Sequence, residues 1–341
     1  MRNTKRINDD DPSNDTVRLL EKLAMTNLKL MHFETAEKFY SEALDMADQL
    51  FKFDTEIGSV TEEDALYNIA SIHFKKGNLN TAKETLANII RKSKKNGPNI
   101  DPKIHNLIGM IYFSEERYYE ARIYFDKAFK GTKNVENFPN RQKIHILYNL
   151  GNASNQITYF DDALDYFNWA VEEVDNSNFG AFDKKIEHIR LYTKIGHSHF
   201  NLGNLGQAYE YYTKAYILDE NLFKGEKRET VMELRRYIGV TRSHQGQFDD
   251  ALFIFDEILY SHKSVDWPDG IIVGKVLLDM SEIYYVCGST HLSQEHQFKL
   301  AISCCKRAFD IFSHSKLRED HPCVQQGNVL KTLIRQEFPE V

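Results

Sequence analysis

Large and small apolar positions recur along the chain in one fixed order, six times over. A small residue stands first, at Ala24, Ala70, Gly109, Gly151, Gly196 and Gly239, directly preceded by Leu23, Ile69, Ile108, Leu150, Ile195 or Ile238. Twelve positions on comes an alanine, at Ala36, Ala82, Ala121, Ala163, Ala208 and Ala251, with a bulky residue three before it (Phe33, Leu79, Tyr118, Phe160, Leu205, Phe248). Four after that alanine stands a large residue (Tyr40, Leu86, Phe125, Phe167, Tyr212, Phe255), and seven after it Ala43, Ile89, Ala128, Ala170, Ala215 or Ile258. Spacings of 3, 4 and 7 mark one face of an α-helix and not the alternation of a strand. The pattern predicts antiparallel helix pairs in which small residues let the two helices approach and large ones fill the space to the next pair. Gly77, Gly203 and Gly246 predict left-handed helix ends at the turn inside the pair. Polar stretches at 94–98, 175–178 and 267–270 punctuate the series.

A seventh pair is irregular. Ser281 takes the small position, but Ala301, Cys305 and Ala308 arrive eight residues late, which reads as an insertion over about 289–297 that lengthens the turn between the helices. Residues 324–336 then read as a terminal helix with Val329, Leu330, Leu333 and Ile334 facing back onto the array, the cap that a repeat stack requires. The organisation expected is a disordered lead-in over 1–16, a repeat array over 17–314, and a connector with capping helix over 315–341.

These residues resemble the tetratricopeptide repeat family, whose signature sets a small residue, an alanine about a dozen positions on, then an aromatic and a second alanine. The resemblance runs over residues 17–314. Successive alanines lie 46, 39, 42, 45 and 43 apart, longer than the roughly 34 residues of the standard unit. Such long repeats look like those of kinesin light chain and Pins-like arrays, and residues 317–322 are similar to the connector between kinesin-light-chain-like repeats. The expected fold is all-α, a right-handed α-solenoid of about seven antiparallel helix pairs with a C-terminal capping helix.

In such a stack the first helix of each pair lines a concave face that receives partners. With the small residue against its partner helix, the helical step of about 100° puts positions three and two before it, and one and four after it, on that face. These are Tyr67, Asn68, Ser71 and Phe74 in the second pair, Asn106, Met110 and Phe113 in the third, and Tyr148, Asn149, Asn152 and Asn155 in the fourth. The fifth pair offers Thr193, Lys194, His197 and Phe200, and the sixth Arg236, Tyr237 and Ser243. An amide both donates and accepts, so asparagines can clamp an extended peptide backbone while aromatics hold its side chains. The resemblance to kinesin-light-chain and Pins-like arrays implies that role for Asn68, Asn149 and Asn152. The alternative is that Asn149 and Asn152 bind neighbouring backbone or water. The two-carboxylate clamp of chaperone-tail-binding relatives is broken, since the matching positions hold Tyr148, Asn152, Lys194, Glu233 and Tyr237. Lys194, Arg190 and Arg236 are cations for an acidic peptide or simply a solvated charged face.

Charge narrows the partners. With 43 Lys and Arg against 50 Asp and Glu, net −7, the chain has no domain-wide basic footprint, so nucleic acid is not an expected partner. No run of about 18 apolar residues occurs, and residues 1–16, with Asp9, Asp10 and Asp11, have neither the apolar core of a secretion signal nor a transit-peptide composition. A cytoplasmic protein without membrane insertion is expected. Cys287, Cys304, Cys305 and Cys323 leave everything before them without a possible crosslink, which fits a reducing compartment.

Chemistry is sparse. No glycine-rich phosphate loop occurs, residues 291–296 depart by one position from an inverted zinc-protease motif, and Cys304 and Cys305 read as buried thiols. His73 and His199 read as packing residues, and no residue has the context of a nucleophile. The expectation is no catalytic residue, metal or cofactor: a scaffold or adaptor binding an extended or helical segment of another protein. Two alternatives remain. One is a peptide-responsive regulator of the Rap type, disfavoured because the first repeat starts near Asp15 and leaves no room for an N-terminal effector module. The other is a structural subunit of a larger assembly.

Overall fold

The structure, a computed structural model, describes residues 14–51, 55–96, 100–224, 228–263, 270–290 and 294–339. The described residues form fifteen helices and no strand, in two compact units, Met1–Thr158 and Tyr159–Val341. The first unit holds α1 (Asn14–Lys29), α2 (Phe33–Phe51), α3 (Thr55–Lys75), α4 (Leu79–Asn96), α5 (Pro102–Ser114), α6 (Tyr118–Thr132) and α7 (Asn140–Gln156). The second holds α8 (Phe160–Asn176), α9 (Ala181–Asn201), α10 (Leu205–Phe223), α11 (Glu229–His244), α12 (Phe248–Lys263), α13 (Ile271–Thr290), α14 (Gln294–His314) and α15 (Pro322–Glu337). Within each unit every helix packs on the next. Odd-numbered helices also touch one another, α1 with α3, α3 with α5 and α5 with α7, then α11 with α13 and α13 with α15. The odd helices therefore share a face in each unit.

The repeat register explains this packing. The bulky residue three before each alanine, from Phe33 to Phe248, is the first residue of an even helix. The small position is small because a ring occupies its space. A methyl group at Gly109, Gly196 or Gly239 would stand 2.6, 2.6 or 2.5 Å from the ring of Phe125, Tyr212 or Phe255, sixteen residues on and fully or almost fully buried. All six intra-pair turns place a left-handed residue seven after the small one: Met31, Gly77, Glu116, Thr158, Gly203 and Gly246, with φ from 60 to 80°. The N–H that follows bonds back to the carbonyl five residues earlier, as in Asn78 to His73 (2.8 Å), Arg117 to Tyr112 (3.0 Å) and Gln247 to Arg242 (3.0 Å). This is the Schellman closure of a helix end.

Three expectations need correction. The eight extra residues of the seventh pair do not make a longer turn. α13 ends nine residues after Ser281, where the earlier odd helices end five after their small residue, and α14 starts seven before Ala301 instead of three. Each helix gains four residues, about one turn, so the face is kept. Ser281 and Cys305 replace the glycine–aromatic contact, the serine Oγ lying 2.8 Å from the Ala301 carbonyl and 3.1 Å from Cys305 Sγ. The lengthened pair holds the C-terminal helix: Phe298 stacks on Phe338 at 5.5 Å, and Tyr285 and, from the added turn of α13, Ser289 donate to Glu337 at 2.9 and 3.1 Å.

On α15 only Leu330 and Ile334 of the four expected residues face inward, with Gly327 beside them; Val329 and Leu333 are 62% and 40% exposed. A methyl at Gly327 would meet Phe309 at 2.9 Å, so the helix docks by the edge that carries this glycine. Leu23 is 41% exposed, whereas Leu150 and Ile195 in the same register are buried. Residues 1–13 of the expected lead-in lie outside the described residues, whereas 14–16 already belong to α1. The polar break at 175–178 is where α8 ends. Those at 94–98 and 267–270, and the segment 291–296, fall wholly or partly outside the described residues.

Candidate functional site

The twelve residues singled out for the binding face, Tyr67, Asn68, Phe74, Asn106, Phe113, Tyr148, Asn149, Asn152, Asn155, Lys194, His197 and Arg236, are all half-buried on odd helices. The face carries two different kinds of surface.

In the first unit, five of the sequence-derived groove residues line one slot of about 150 Å3: Phe74, Met110, Phe113, Asn149 and Asn152. Ser114 and Phe125 complete it. Phe125 reaches it only because Gly109 has no side chain, a signal present in the register but not read as part of the face. The amide of Asn149 donates from Nδ2 to Asn106 Oδ1 at 3.0 Å, and Asn106 in turn lies against Met110 Sδ at 3.7 Å. Asn149 is thereby oriented by the preceding repeat. Tyr67 is held beneath the Lys103 ammonium, 5.1 Å from its ring centroid, while Lys103 bonds Asp64 at 2.5 Å.

In the second unit the same register is ionic and aromatic. Arg236 forks onto Asp279 (Nε to Oδ2 2.5 Å, Nη2 to Oδ1 2.9 Å), and Lys275 reaches Glu233 at 2.6 Å, both joining α11 to α13. Burial pushes the Asp279 carboxyl up to about 6 against the pull of the Arg236 guanidinium. Arg236 thus serves the junction between repeats. His197 also turns inward: its Nδ1 and Tyr212 Oη share a 2.6 Å hydrogen bond, and its ring stands edge-on to Tyr237 at 4.6 Å. Burial, with Lys194 and Arg236 adding positive charge nearby, lowers its pKa to about 3, so the ring is neutral. Lys194, Thr193 and Tyr237 line a cleft of about 430 Å3 between α9 and α11. Arg228 also lines it, stacked on Phe223 at 3.4 Å and paired with Asp219 at 3.1 Å.

Sequence reasoning missed the position six before the small residue, which carries Asp64, Lys103, Glu233 and Lys275, the charged rungs between neighbouring odd helices. Opposite charges in consecutive repeats at that place were the available signal. His73 and His199 pack as expected, His73 beside Glu37 at 3.7 Å and His199 stacked on Tyr211 at 5.6 Å. Among the described residues no three His, Cys, Asp or Glu side chains converge as a metal site, and no helix is long and apolar enough to cross a membrane.

Comparisons with known proteins fit this register. Sequence profiles described as tetratricopeptide repeat match residues 64–95, 102–130 and 189–222, the second, third and fifth helix pairs. No curated protein matches the sequence. Among solved structures, a signal-transduction ATPase with a tetratricopeptide repeat sensor from Pyrococcus horikoshii is similar with a TM-score of 0.65 at 13% identity, over 93% of this chain and 44% of that one. The chain thus spans under half of that protein. The apo form of RapI is similar with a TM-score of 0.58 at 13% identity, over 95% of this chain and 98% of the other. The apo quorum sensor NprR from B. thuringiensis has a TM-score of 0.51 at 12% identity, over 86% and 89%. At these identities the likeness is one of fold. With three profile matches, six repeats in one register and hairpins closed by the same turn, the chain is a member of the tetratricopeptide repeat superfamily.

Proposed function

We propose that this protein is a non-catalytic scaffold or adaptor that holds a segment of another protein on the odd-helix face of its first unit. The slot between Phe74, Met110, Phe113, Asn149 and Asn152 carries the reading, because it sets an apolar recess beside amides that can both donate and accept. Such a recess takes one apolar side chain of a bound segment while Asn149 and Asn152 reach its backbone, and Asn106 fixes the Asn149 amide in advance. The test is a pull-down from native lysate with the wild type and an Asn149→Ala/Asn152→Ala variant. Loss of the captured protein with unchanged helical circular dichroism is expected; equal recovery by both forms would overturn the assignment.

One observation favours a second reading, a regulator that releases its partner when a peptide occupies the face: the fold likeness to RapI extends over nearly the whole of both chains. Elution of the captured protein by a short peptide would favour the regulator, and retention the scaffold.

A further inference from the structure

Besides the concave positions, odd helices carry a second face about 130° further round, which meets the preceding repeat. It is set by the residues five and one before the small residue and two after it. At five before, Ala65, Ile104, Ile146, Leu191 and Leu234 are all buried, and so at two after are Ile72, Ile111, Ala153, Ser198 and Thr241. The preceding pair covers this face with its small residue, alanine and large residue. Ile72 clusters with Ala24, Ala36 and Tyr40, and Ile104 and Ile111 with Ala70, Ala82 and Leu86.

In the first repeat this register holds Leu19, Leu23 and Thr26, and Leu30 extends it, its N–H bonded to the Thr26 carbonyl at 3.1 Å. Here the face is open: Leu19 and Leu30 are 46% and 59% exposed, and Leu23 and Thr26 are exposed too. α1 thus has the outer face of an interior helix, not the polar one of a cap. A single helix suffices to cover the end of a stack, as α15 does on α13 and α14 through Leu330 and Ile334. The borders of the leucine stripe differ. Lys22 and Lys29 stand exposed along the concave side, with Arg18 beyond them near Glu21, while Thr16 and Asn27 on the other side are uncharged. Asp15 is the one exposed acid of α1.

We propose that this end face of the first repeat is a docking site for an amphipathic α-helix of another protein, with an apolar stripe bordered on one side by acidic residues. The stripe replaces the contacts that a preceding pair makes elsewhere, and the acids meet Lys22 and Lys29. A second copy of α1 does not supply them. Laid antiparallel it sets these lysines against their own equivalents, and laid parallel against Thr16 and Asn27. Residues 1–13 offer only Met1 and Ile7 as large apolar side chains, too few to match three leucines. The site goes beyond the slot at Asn149 and Asn152 and does not depend on it, since neither residue lies in this register.

The test is fluorescence anisotropy of the full chain at low salt with three labelled helical peptides of identical leucine and alanine stripe, bordered by Glu, Gln or Lys. The Glu peptide is expected to bind about tenfold tighter than the Lys peptide, with the Gln peptide between them. Lys22→Glu/Lys29→Glu reverses that order. Leu19→Gln/Leu23→Gln/Leu30→Gln abolishes binding of all three, and its melting temperature stays within about 2 °C of the wild type because the leucines are exposed. Absence of binding by the Glu peptide, an unchanged order in the lysine variant, or full binding to the leucine variant overturns the proposal. A clear fall in that variant's melting temperature also overturns it, by showing that the chain's own residues cover the stripe. So does a wild-type dimer that the leucine variant turns into a monomer in analytical ultracentrifugation, which assigns the face to a second copy. The Asn149→Ala/Asn152→Ala variant keeps the Glu-peptide preference, so failure of the slot reading and failure of this one are read separately.

Discussion

The two units join consecutive odd helices at the same register with opposite chemistry. Three before the small residue of one repeat meets two before that of the next. In the first unit this rung is Asn106 with Asn149, a neutral amide bond of 3.0 Å; in the second it is Arg236 with Asp279, a buried fork of 2.5 and 2.9 Å. The backbone register decides which side chains meet, since both pairs are 43 residues apart. Their identity decides how the rung responds to loss, acid and ligand. An amide with a missing partner can turn to water from a half-buried face, whereas a carboxylate that is 7% exposed cannot.

Breaking one rung in each unit tests this most directly. Arg236→Met leaves Asp279 buried without its cation and is expected to cost about 3–5 kcal/mol. Asn106→Ala removes a neutral bond and should cost about 1 kcal/mol. Urea unfolding, with hydrogen exchange read separately on α13 and α5, distinguishes the two, and the double variant Arg236→Met/Asp279→Leu should recover most of the loss. Equal costs for the two single variants would remove the distinction between the units.

The register was legible because six repeats agree on it, and agreement filters out the chance that any single spacing arises by accident. Steric complementarity then follows from residue size alone: Gly109, Gly196 and Gly239 predict a close approach, and the rings of Phe125, Tyr212 and Phe255 make it. What escaped were features in which two outcomes share one pattern. Eight inserted residues are close to two helical turns, so an insertion placed in the helices preserves the apolar faces as well as one placed in a loop. On α15, Val329 and Leu333 are as apolar as Leu330 and Ile334, and only the position of Phe309 beside Gly327 decides which edge is buried. On the odd-helix face, periodicity put Phe74, Met110, Phe113, Asn149 and Asn152 on one side, and there they line one slot. It could not show that Arg236 would be taken up by Asp279 or His197 by Tyr212, because those partners come from other helices.

Acid sharpens the contrast further. His197 is neutral in the folded second unit, its pKa lowered from the ordinary 6.5 to about 3 by burial and by Lys194 and Arg236. Between these values the unfolded chain binds a proton that the folded one does not. Its contribution to stability is therefore complete above about 6.5 and is lost as pH falls toward 3. His197→Gln removes the titration while keeping a polar side chain. Between pH 7 and 4.5 the wild type should lose on the order of 2 kcal/mol more than this variant, measured by chemical unfolding at each pH. Parallel curves for the two proteins would mean that the ring is protonated in place and that Tyr212 and Tyr237 do not exclude it.

The smallest expected effect lies in the turns, where the units differ again. The second unit puts glycine at the left-handed position in Gly203 and Gly246, whereas the first uses Met31, Glu116 and Thr158 and has glycine only at Gly77. A residue with a Cβ is strained there by about 1–2 kcal/mol, and a β-branched one most of all, so Thr158 at φ 63° is the least comfortable of the six. Thr158→Gly and Glu116→Gly are expected to raise stability by about 1 kcal/mol each, less than the strain relieved because glycine loses more backbone freedom on folding. Gly203→Ala and Gly246→Ala should lower it by a similar amount. Thermal melts should move by about 2–4 °C in opposite directions for the two units. A loss of stability in Glu116→Gly would show that the exposed side chain at this turn carries an interaction worth more than its backbone strain, and the turn would then be set by sequence and not by position.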